Sequence, residues 1–128
     1  ALYEPLASVF TKKVTQLSVA RTPNGNQVWR DRTHREGELP TGDVGTTVKA
    51  RIDRDDATHI THYRIAIPWA QLGLDGPRPG KPLGIAILVN DSDGPGTPRQ
   101  GLELFSGIMN DKSHTLYGSV LLERTAEK

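Results

Sequence analysis

The chain contains no cysteine, which excludes disulfide bonds, thiolate metal ligands and thiol catalysis together. Aromatic residues make up only 5% of it. No apolar run approaches the roughly 18 residues of a membrane-spanning helix, so we expect no membrane segment. Neither sign of charge is in excess, since 16 Lys and Arg stand against 15 Asp and Glu. This balance gives no electrostatic reason to expect a nucleic acid or a membrane surface as partner.

Helical periodicity is also missing, because 13 Gly and 9 Pro are spread along the sequence and no heptad pattern is present. The 128 residues suffice for one domain, which we place at residues 1–128. Short segments of β-forming residues between turn signals favour an all-β chain, and hairpin connections between them indicate an antiparallel β-sandwich. The predicted strands are residues 14–21, 26–31, 47–53, 59–67, 83–89, 102–108 and 117–123.

The first predicted hairpin turns at Asn24-Gly25, which is a strong hairpin signal. Alternation along its strands puts Leu17, Val19 and Val28 on the inner face. Trp29 then falls on the opposite face, where a ligand or a neighbouring chain can reach it. The segment from His34 to Val44 is rich in Gly, Pro and Glu and is predicted to be a loop.

Later segments predict a corner and a buried strand. Tyr63 and Ile65 are expected to face inward on one strand. Pro68 suits the start of a helical turn, which would pack its apolar side on the sheet. Leu83 to Val89 is apolar on both faces, as in a central strand covered on both sides.

The stretch from Tyr63 to Asp93 contains Ile-Pro-Trp at 67–69 and Val-Asn-Asp at 89–91. These motifs resemble the second half of family 9 carbohydrate-binding modules and their DOMON-like relatives. Further residues follow in the order of that pattern: Arg99, Lys112, Tyr117, Gly118 and Leu121. The resemblance implies a β-sandwich that binds sugars reversibly, without catalysis, and is appended to secreted or cell-surface glycan-processing proteins. Family members extend further at the N-terminus, so we expect missing N-terminal strands, a larger parent protein, or pairing with a second copy.

The sugar-contacting residues of the family match poorly. Ser18 stands where the family has an Arg, and Leu88 stands where it has a sugar-binding Gln. The segment from Phe105 to Lys112 lacks the second Trp of the sugar clamp. Within this resemblance the fold is therefore better supported than the binding site.

Four residues are candidates for ligand contact. Trp29 is the first, because the C–H faces of a pyranose stack on an exposed aromatic plane. Arg30 and Arg51 could supply hydrogen bonds, together with His34, and Phe105 could form part of an aromatic platform. The alternative is that Trp29 and Phe105 belong to the core and that the three polar residues are ordinary surface residues.

A calcium site is a further candidate, because Asp91 and Asp93 lie on a turning, Gly-containing segment. The match to a calcium-binding helix–loop–helix loop fails, since Leu102 occupies its twelfth position and Glu103 comes one residue late. The acids could instead cap their own loop. A heme-binding relative is an alternative, but Met109 is the only methionine and no histidine is firmly placed to pair with it.

The sequence contains no nucleophile with a recognisable base partner and no phosphate-binding glycine loop. Its paired acids lie on turns, where general acid–base catalysis would lack the desolvation that adapts a carboxyl group to that role. The sequence therefore predicts a non-enzyme that binds carbohydrate and uses no cofactor beyond that candidate calcium. Its other predicted partner is the catalytic domain of a parent protein. The rival prediction is a structural or inter-domain packing module without sugar binding.

Overall fold

The computed structural model describes residues 2–3, 14–33, 37–91, 96, 100–109 and 116–124. Antiparallel strands dominate these residues, a 3₁₀ turn spans Trp69–Leu72, and no α-helix occurs among them. The prediction of an all-β chain is confirmed. The strands are β1 Leu2–Tyr3, β2 Thr15–Thr22, β3 Gly25–Thr33, β4 Gly42–Asp43, β5 Lys49–Asp55, β6 Ile60–Ala66, β7 Pro82–Ile85, β8 Ile87–Asp91, β9 Gln100–Leu104 and β10 Gly118–Leu121.

The chain divides into two compact units. One consists of Thr15–Pro77 and contains β2 to β6 with the 3₁₀ turn. The other combines Ala1–Val14 with Arg78–Lys128 and contains β1 and β7 to β10. Each unit has its own strand pairings, and each is described by itself below.

In the Thr15–Pro77 unit, β2 and β3 form a hairpin whose turn residues are Pro23 and Asn24, with Thr22 opposite Gly25. The predicted turn lay one residue later. Proline fits the second position of such a turn and glycine the fourth, and Gly25 has a φ of 109°. Because the turn lies one residue earlier than predicted, each residue of β2 pairs with a residue two positions earlier in β3. A shift of two positions keeps every side chain on its face, so both faces of the hairpin keep the predicted residues.

A valine core lies against the inner face of this hairpin. Val28, Val44 and Val48 are buried, and partly buried apolar residues pack around them: Leu17, Val19, Ala50 and Ile67. Ala50 belongs to β5, so the β5–β6 hairpin contributes to this core from its own two-stranded sheet. The apolar residues expected to line the inner face of β2 and β3 do so.

The β5–β6 hairpin is more exposed than predicted. Tyr63 and Ile65, which were expected to face inward, are about half exposed. They lie opposite Ile52 and Ala50 in a two-stranded sheet, so only part of this apolar side is covered. At the hairpin turn, hydrogen bonds from the Thr58 side chain and from nearby backbone amides lower the pKa of Asp55.

The predicted helical turn is present after β6. Trp69–Leu72 forms a 3₁₀ turn preceded by Pro68, and Leu72 is buried. The turn ends at Gly73, whose φ of 74° lies in the left-handed region that glycine adopts without strain. Proline before the turn and glycine after it thus define the corner, as the sequence indicated.

In the other unit, β7 pairs with β1 on one side and with β10 on the other, all antiparallel. The predicted central strand from Leu83 to Val89 is not continuous, because it breaks at the buried Ala86. Its second part, β8, pairs with β9 in a separate two-stranded sheet. Ile87 and Val89 are exposed there, so the prediction of burial on both sides is wrong for this half.

The predicted strand from Leu102 to Ile108 is shorter than expected. β9 ends at Leu104, and Phe105 has a left-handed φ of 64° that stops the extended conformation. The following segment folds back, because Oε1 of Glu103 accepts hydrogen bonds from the amides of Ile108 (3.2 Å) and Met109 (2.7 Å). This carboxylate holds the segment close to the strand from which it leaves.

Candidate functional site

Trp29 lies in the middle of β3, between Ser18 of β2 and Asp43 of β4. Successive residues of a strand point to opposite faces. The neighbouring Val28 is only 1% exposed in the valine core, whereas Trp29 is 44% exposed. The indole therefore stands on the outer face of the β2–β3–β4 sheet, as the hairpin pattern predicted.

We call this outer surface the Trp29 face. Its central residues are all exposed: Ser18, Ala20, Gln27, Trp29, Asp31 and Asp43. The paired Gln16 and Arg32 continue the same face beyond Asp31. Side chains directly opposite each other on antiparallel strands have Cβ atoms about 5 Å apart. Ser18 and Asp43 therefore flank the indole from its two sides. A ligand on the ring would meet hydroxyl, amide and carboxylate groups.

A β-bulge positions Asp31 on the same face. The register between β2 and β3 shifts at Gln16 and Leu17, which leaves Asp31 as the extra residue of β3. Bulges of this kind commonly redirect a side chain. The hydroxyl of Ser18 donates a hydrogen bond to Oδ2 of Asp31, and this bond holds the carboxylate on the Trp29 side.

Backbone contacts hold the second carboxylate. Oδ1 of Asp43 accepts a hydrogen bond from the amide of Gly45 at 2.8 Å, and β4 itself pairs with β3 at Trp29 and Arg30. Sequence reasoning missed Asp43 because it lies in the predicted loop from His34 to Val44. Asp31 could have been found from its position two residues after Trp29 on the same strand.

Arg30 does not lie on the Trp29 face. Its side chain points into the Thr15–Pro77 unit, and the residue is 1% exposed. The guanidinium donates to Oγ1 of Thr15 (3.3 Å) and to the carbonyl of Pro40 (3.3 Å). It also donates to the backbone and side-chain oxygens of Gln71, both at 2.9 Å. Arg30 therefore cross-links three segments in the interior, in place of the ligand contact predicted from the sequence.

Arg51 is exposed but lies on a different surface. Its guanidinium bonds the carboxylate of Asp53 at 2.7 Å, and 70% of its side chain is exposed. The preceding residue, Ala50, packs in the valine core, so Arg51 points away from that core. Trp29 also points away from the core, but it belongs to the β2–β3–β4 sheet, whereas Arg51 belongs to the β5–β6 sheet. The two predicted contact residues thus lie on opposite outer surfaces of the unit, where one sugar cannot touch both.

Phe105 belongs to the other unit, where it is 44% exposed. A Cβ atom added to Gly118 would lie 2.4 Å from its ring. The ring thus covers Gly118 closely, which is a packing contact within that unit. The assignment of Phe105 to a sugar platform stays a prediction.

The predicted calcium site lies mostly beyond the described residues. Asp93 and His34 are outside them, and Asp91 is described through its backbone, which pairs with Gln100. Within the described part of the chain, no group of three or more His, Cys, Asp or Glu residues is arranged to hold a metal ion. The calcium site stays a prediction.

Comparison with known proteins gives no assignment: no family model, no curated protein and no solved structure matches the chain. Among the described residues there is no helix of the length and apolar character needed to cross a membrane. The functional conclusion therefore depends on the chemistry of the Trp29 face.

Proposed function

We propose that this chain is a non-catalytic carbohydrate-binding domain that binds sugars on the Trp29 face. The observation that carries the proposal is the half-exposed indole of Trp29 in the middle of a mostly polar, solvent-exposed sheet surface. Aromatic planes offer apolar contact to the C–H face of a pyranose ring. An aromatic ring surrounded by polar groups suits a ligand with one apolar face and many hydroxyl groups.

The polar neighbours of the indole suit sugar hydroxyls. Gln27 offers both a donor and an acceptor, and the carboxylates of Asp31 and Asp43 are acceptors with more than one free lone-pair site. Hydrogen bonds to charged groups are stronger than those between neutral groups. Because the face is open and its groups stay in contact with water, the expected binding is weak and rapidly reversible.

The wider setting follows from the resemblance of the Tyr63 to Asp93 stretch to family 9 carbohydrate-binding modules. In this proposal the chain folds as an antiparallel β-sandwich and is part of a secreted or cell-surface glycan-processing protein. Its partners are carbohydrate and the catalytic domain of that parent. The acids of the Trp29 face are exposed, which supports a binding role over acid–base catalysis.

A second candidate function is that of a packing module, and it has its own observation. Four aliphatic residues share one side of the β8–β9 hairpin, where Ile87 lies opposite Leu104 and Val89 lies opposite Leu102. We call this the aliphatic face; all four residues are exposed, Leu102 by 76%. Adjacent exposed aliphatic side chains are typical of surfaces that another protein segment covers. The candidates for that cover are an N-terminal segment, a parent domain or a second copy.

A glycan array and affinity gels test the first proposal. The proteins compared are the unaltered chain, Trp29→Ala and Tyr63→Ala, the last being a control with a similarly exposed aromatic on β6. We expect binding to at least one glycan, at least about tenfold weaker for Trp29→Ala and unchanged for Tyr63→Ala. Circular dichroism of each protein checks that the fold is kept.

The other outcomes are equally informative. If Trp29→Ala binds the same glycans as strongly as the unaltered chain, the Trp29 face is not the binding site. If the folded chain binds no glycan at all, the carbohydrate proposal fails and the packing module is favoured.

A further inference from the structure

We infer that the Trp29 face selects sugars that carry a protonated amino group, such as glucosamine polymers, over neutral sugars and over uronic acids. This inference rests on the proposed function and specifies its ligand class. It is carried by the two carboxylates, Asp31 and Asp43, that lie on the same face as the exposed indole.

Strand geometry brings both carboxylates close to a ligand on the ring. Asp43 is directly opposite Trp29 on β4, which corresponds to about 5 Å between Cβ atoms. Asp31 is two residues further along β3, which corresponds to about 7 Å along the strand. One pyranose stacked on the indole would therefore lie between the two acids.

None of the nearby cationic residues lies directly opposite Trp29. Arg30 points into the interior and donates to Thr15, Pro40 and Gln71. Arg32 shares the face with the indole but lies opposite Gln16, one residue beyond Asp31. The ammonium of Lys49 donates to the carbonyl of Gly45 at 3.2 Å. The two residues directly opposite Trp29, Ser18 and Asp43, are neutral and negative.

An ammonium group gains two interactions on such a surface. A cation over the face of an indole is attracted by the ring, and tryptophan is the best side chain for this contact. A carboxylate next to the same cation adds a charge-assisted hydrogen bond. N-acetylation of the amine removes both interactions, and a uronate would instead be repelled by Asp31 and Asp43.

Isothermal titration with four oligosaccharides of equal length tests the inference. The ligands are oligomers of glucosamine, N-acetylglucosamine, glucose and galacturonate. Combining the usual strengths of an exposed cation–π contact and of exposed ion pairs, we expect glucosamine oligomers to bind about tenfold more tightly than glucose oligomers at low salt. Galacturonate oligomers should bind most weakly, and added salt should reduce the difference between the charged and neutral ligands.

Shape-conserving variants separate charge from stacking. The double variant Asp31→Asn with Asp43→Asn removes both charges and keeps acceptors for Ser18 and Gly45. It should lose the preference for glucosamine and bind glucose oligomers within about twofold of the unaltered chain. Asp53→Asn removes another exposed charge, on the opposite outer surface beside Arg51, and should change neither the preference for glucosamine nor the affinity for glucose oligomers.

The outcomes distinguish the two proposals. If Trp29-dependent binding of neutral sugars occurs without any preference for glucosamine, this inference is overturned while the proposed function stands. The same holds if the double Asp variant keeps the full preference. If no oligosaccharide binds, both fail together. Trp29-dependent binding of a lysine-rich peptide in place of any sugar would also overturn the inference, in favour of peptide recognition.

Discussion

The β2–β3 and β8–β9 hairpins each have one open face, and on the opposite face of each a charged side chain binds backbone groups outside its own strand. Arg30 donates to the carbonyls of Pro40 and Gln71, whereas Glu103 accepts from the amides of Ile108 and Met109. A single ionic side chain can satisfy several backbone groups that no strand partner reaches.

The open faces of the two hairpins differ. The Trp29 face combines one aromatic ring with hydroxyl, amide and carboxylate groups, while the aliphatic face carries only hydrocarbon side chains. A polar surface with one ring can exchange water for a sugar and keep its hydrogen bonds. An aliphatic surface gains only by losing water. Exposure alone therefore does not indicate a ligand site; the groups beside the exposed residue do.

The largest effect is expected from Arg30→Ala. The substitution leaves oxygens of Thr15, Pro40 and Gln71 without this donor and opens a cavity in the interior, which we expect to lower the free energy of unfolding by about 3 to 5 kcal/mol. Chemical denaturation measures this. Arg51→Ala is the matched control and should cost less than about 0.5 kcal/mol, because that side chain is mostly exposed. Equal effects of the two variants would contradict the interior role of Arg30.

A pair of valine substitutions compares the covered and open faces directly. Val28→Ala removes two methyl groups from the valine core, and we expect a loss of about 2 kcal/mol. Val89→Ala on the aliphatic face should cost less than about 1 kcal/mol, because Val89 is already exposed. Thermal denaturation of both variants gives the difference. A larger loss for Val89→Ala would show that the aliphatic face is covered in solution.

A smaller effect on stability is expected from Glu103, which lies on the side of the β8–β9 hairpin opposite the aliphatic face. Glu103→Ala removes the acceptor of two backbone amides on a partly exposed segment, which we expect to cost about 1 kcal/mol. Glu103→Gln keeps a neutral acceptor and should retain much of that stability. Hydrogen exchange at the amides of Ile108 and Met109 reports the contact directly: exchange should accelerate most in Glu103→Ala. Unchanged exchange in that variant would argue against the hydrogen bonds.

The sequence predicted the faces of the β2–β3 hairpin for a robust reason. Side chains alternate between the two faces of a strand, so the face of a residue depends only on whether its number is odd or even. The turn was misplaced by one residue, which moved the strand pairing by two positions and left Trp29 on the outer face. The expectation that Arg30 lies at the surface was wrong for another reason. Arg30 lies on the same side of the hairpin as Val28, but its hydrophilic character suggested a surface residue, and its partners are up to 41 positions away in the chain.

The rest of the site depends on pairings that local patterns do not contain. β4 consists of Gly42 and Asp43, residue types with little preference for strands, and it exists because β3 lies beside it. The continuous apolar run from Leu83 to Val89 similarly gives no sign of the break at Ala86. Periodicity shows which residues share a face, but it does not show what covers that face.

A small change in stability is also expected on the aliphatic face, where Leu102→Thr combined with Leu104→Thr replaces exposed leucines by a residue well suited to strands. The free energy of unfolding should change by less than about 1 kcal/mol. Binding of a fluorescent apolar dye should nevertheless fall severalfold, because the contiguous hydrocarbon surface is interrupted. Ile60→Thr, which changes an exposed aliphatic residue on β6, should leave dye binding nearly unchanged. Dye binding that stays the same in the double variant would mean that the aliphatic face is already covered, and the contrast between the two open faces would no longer hold.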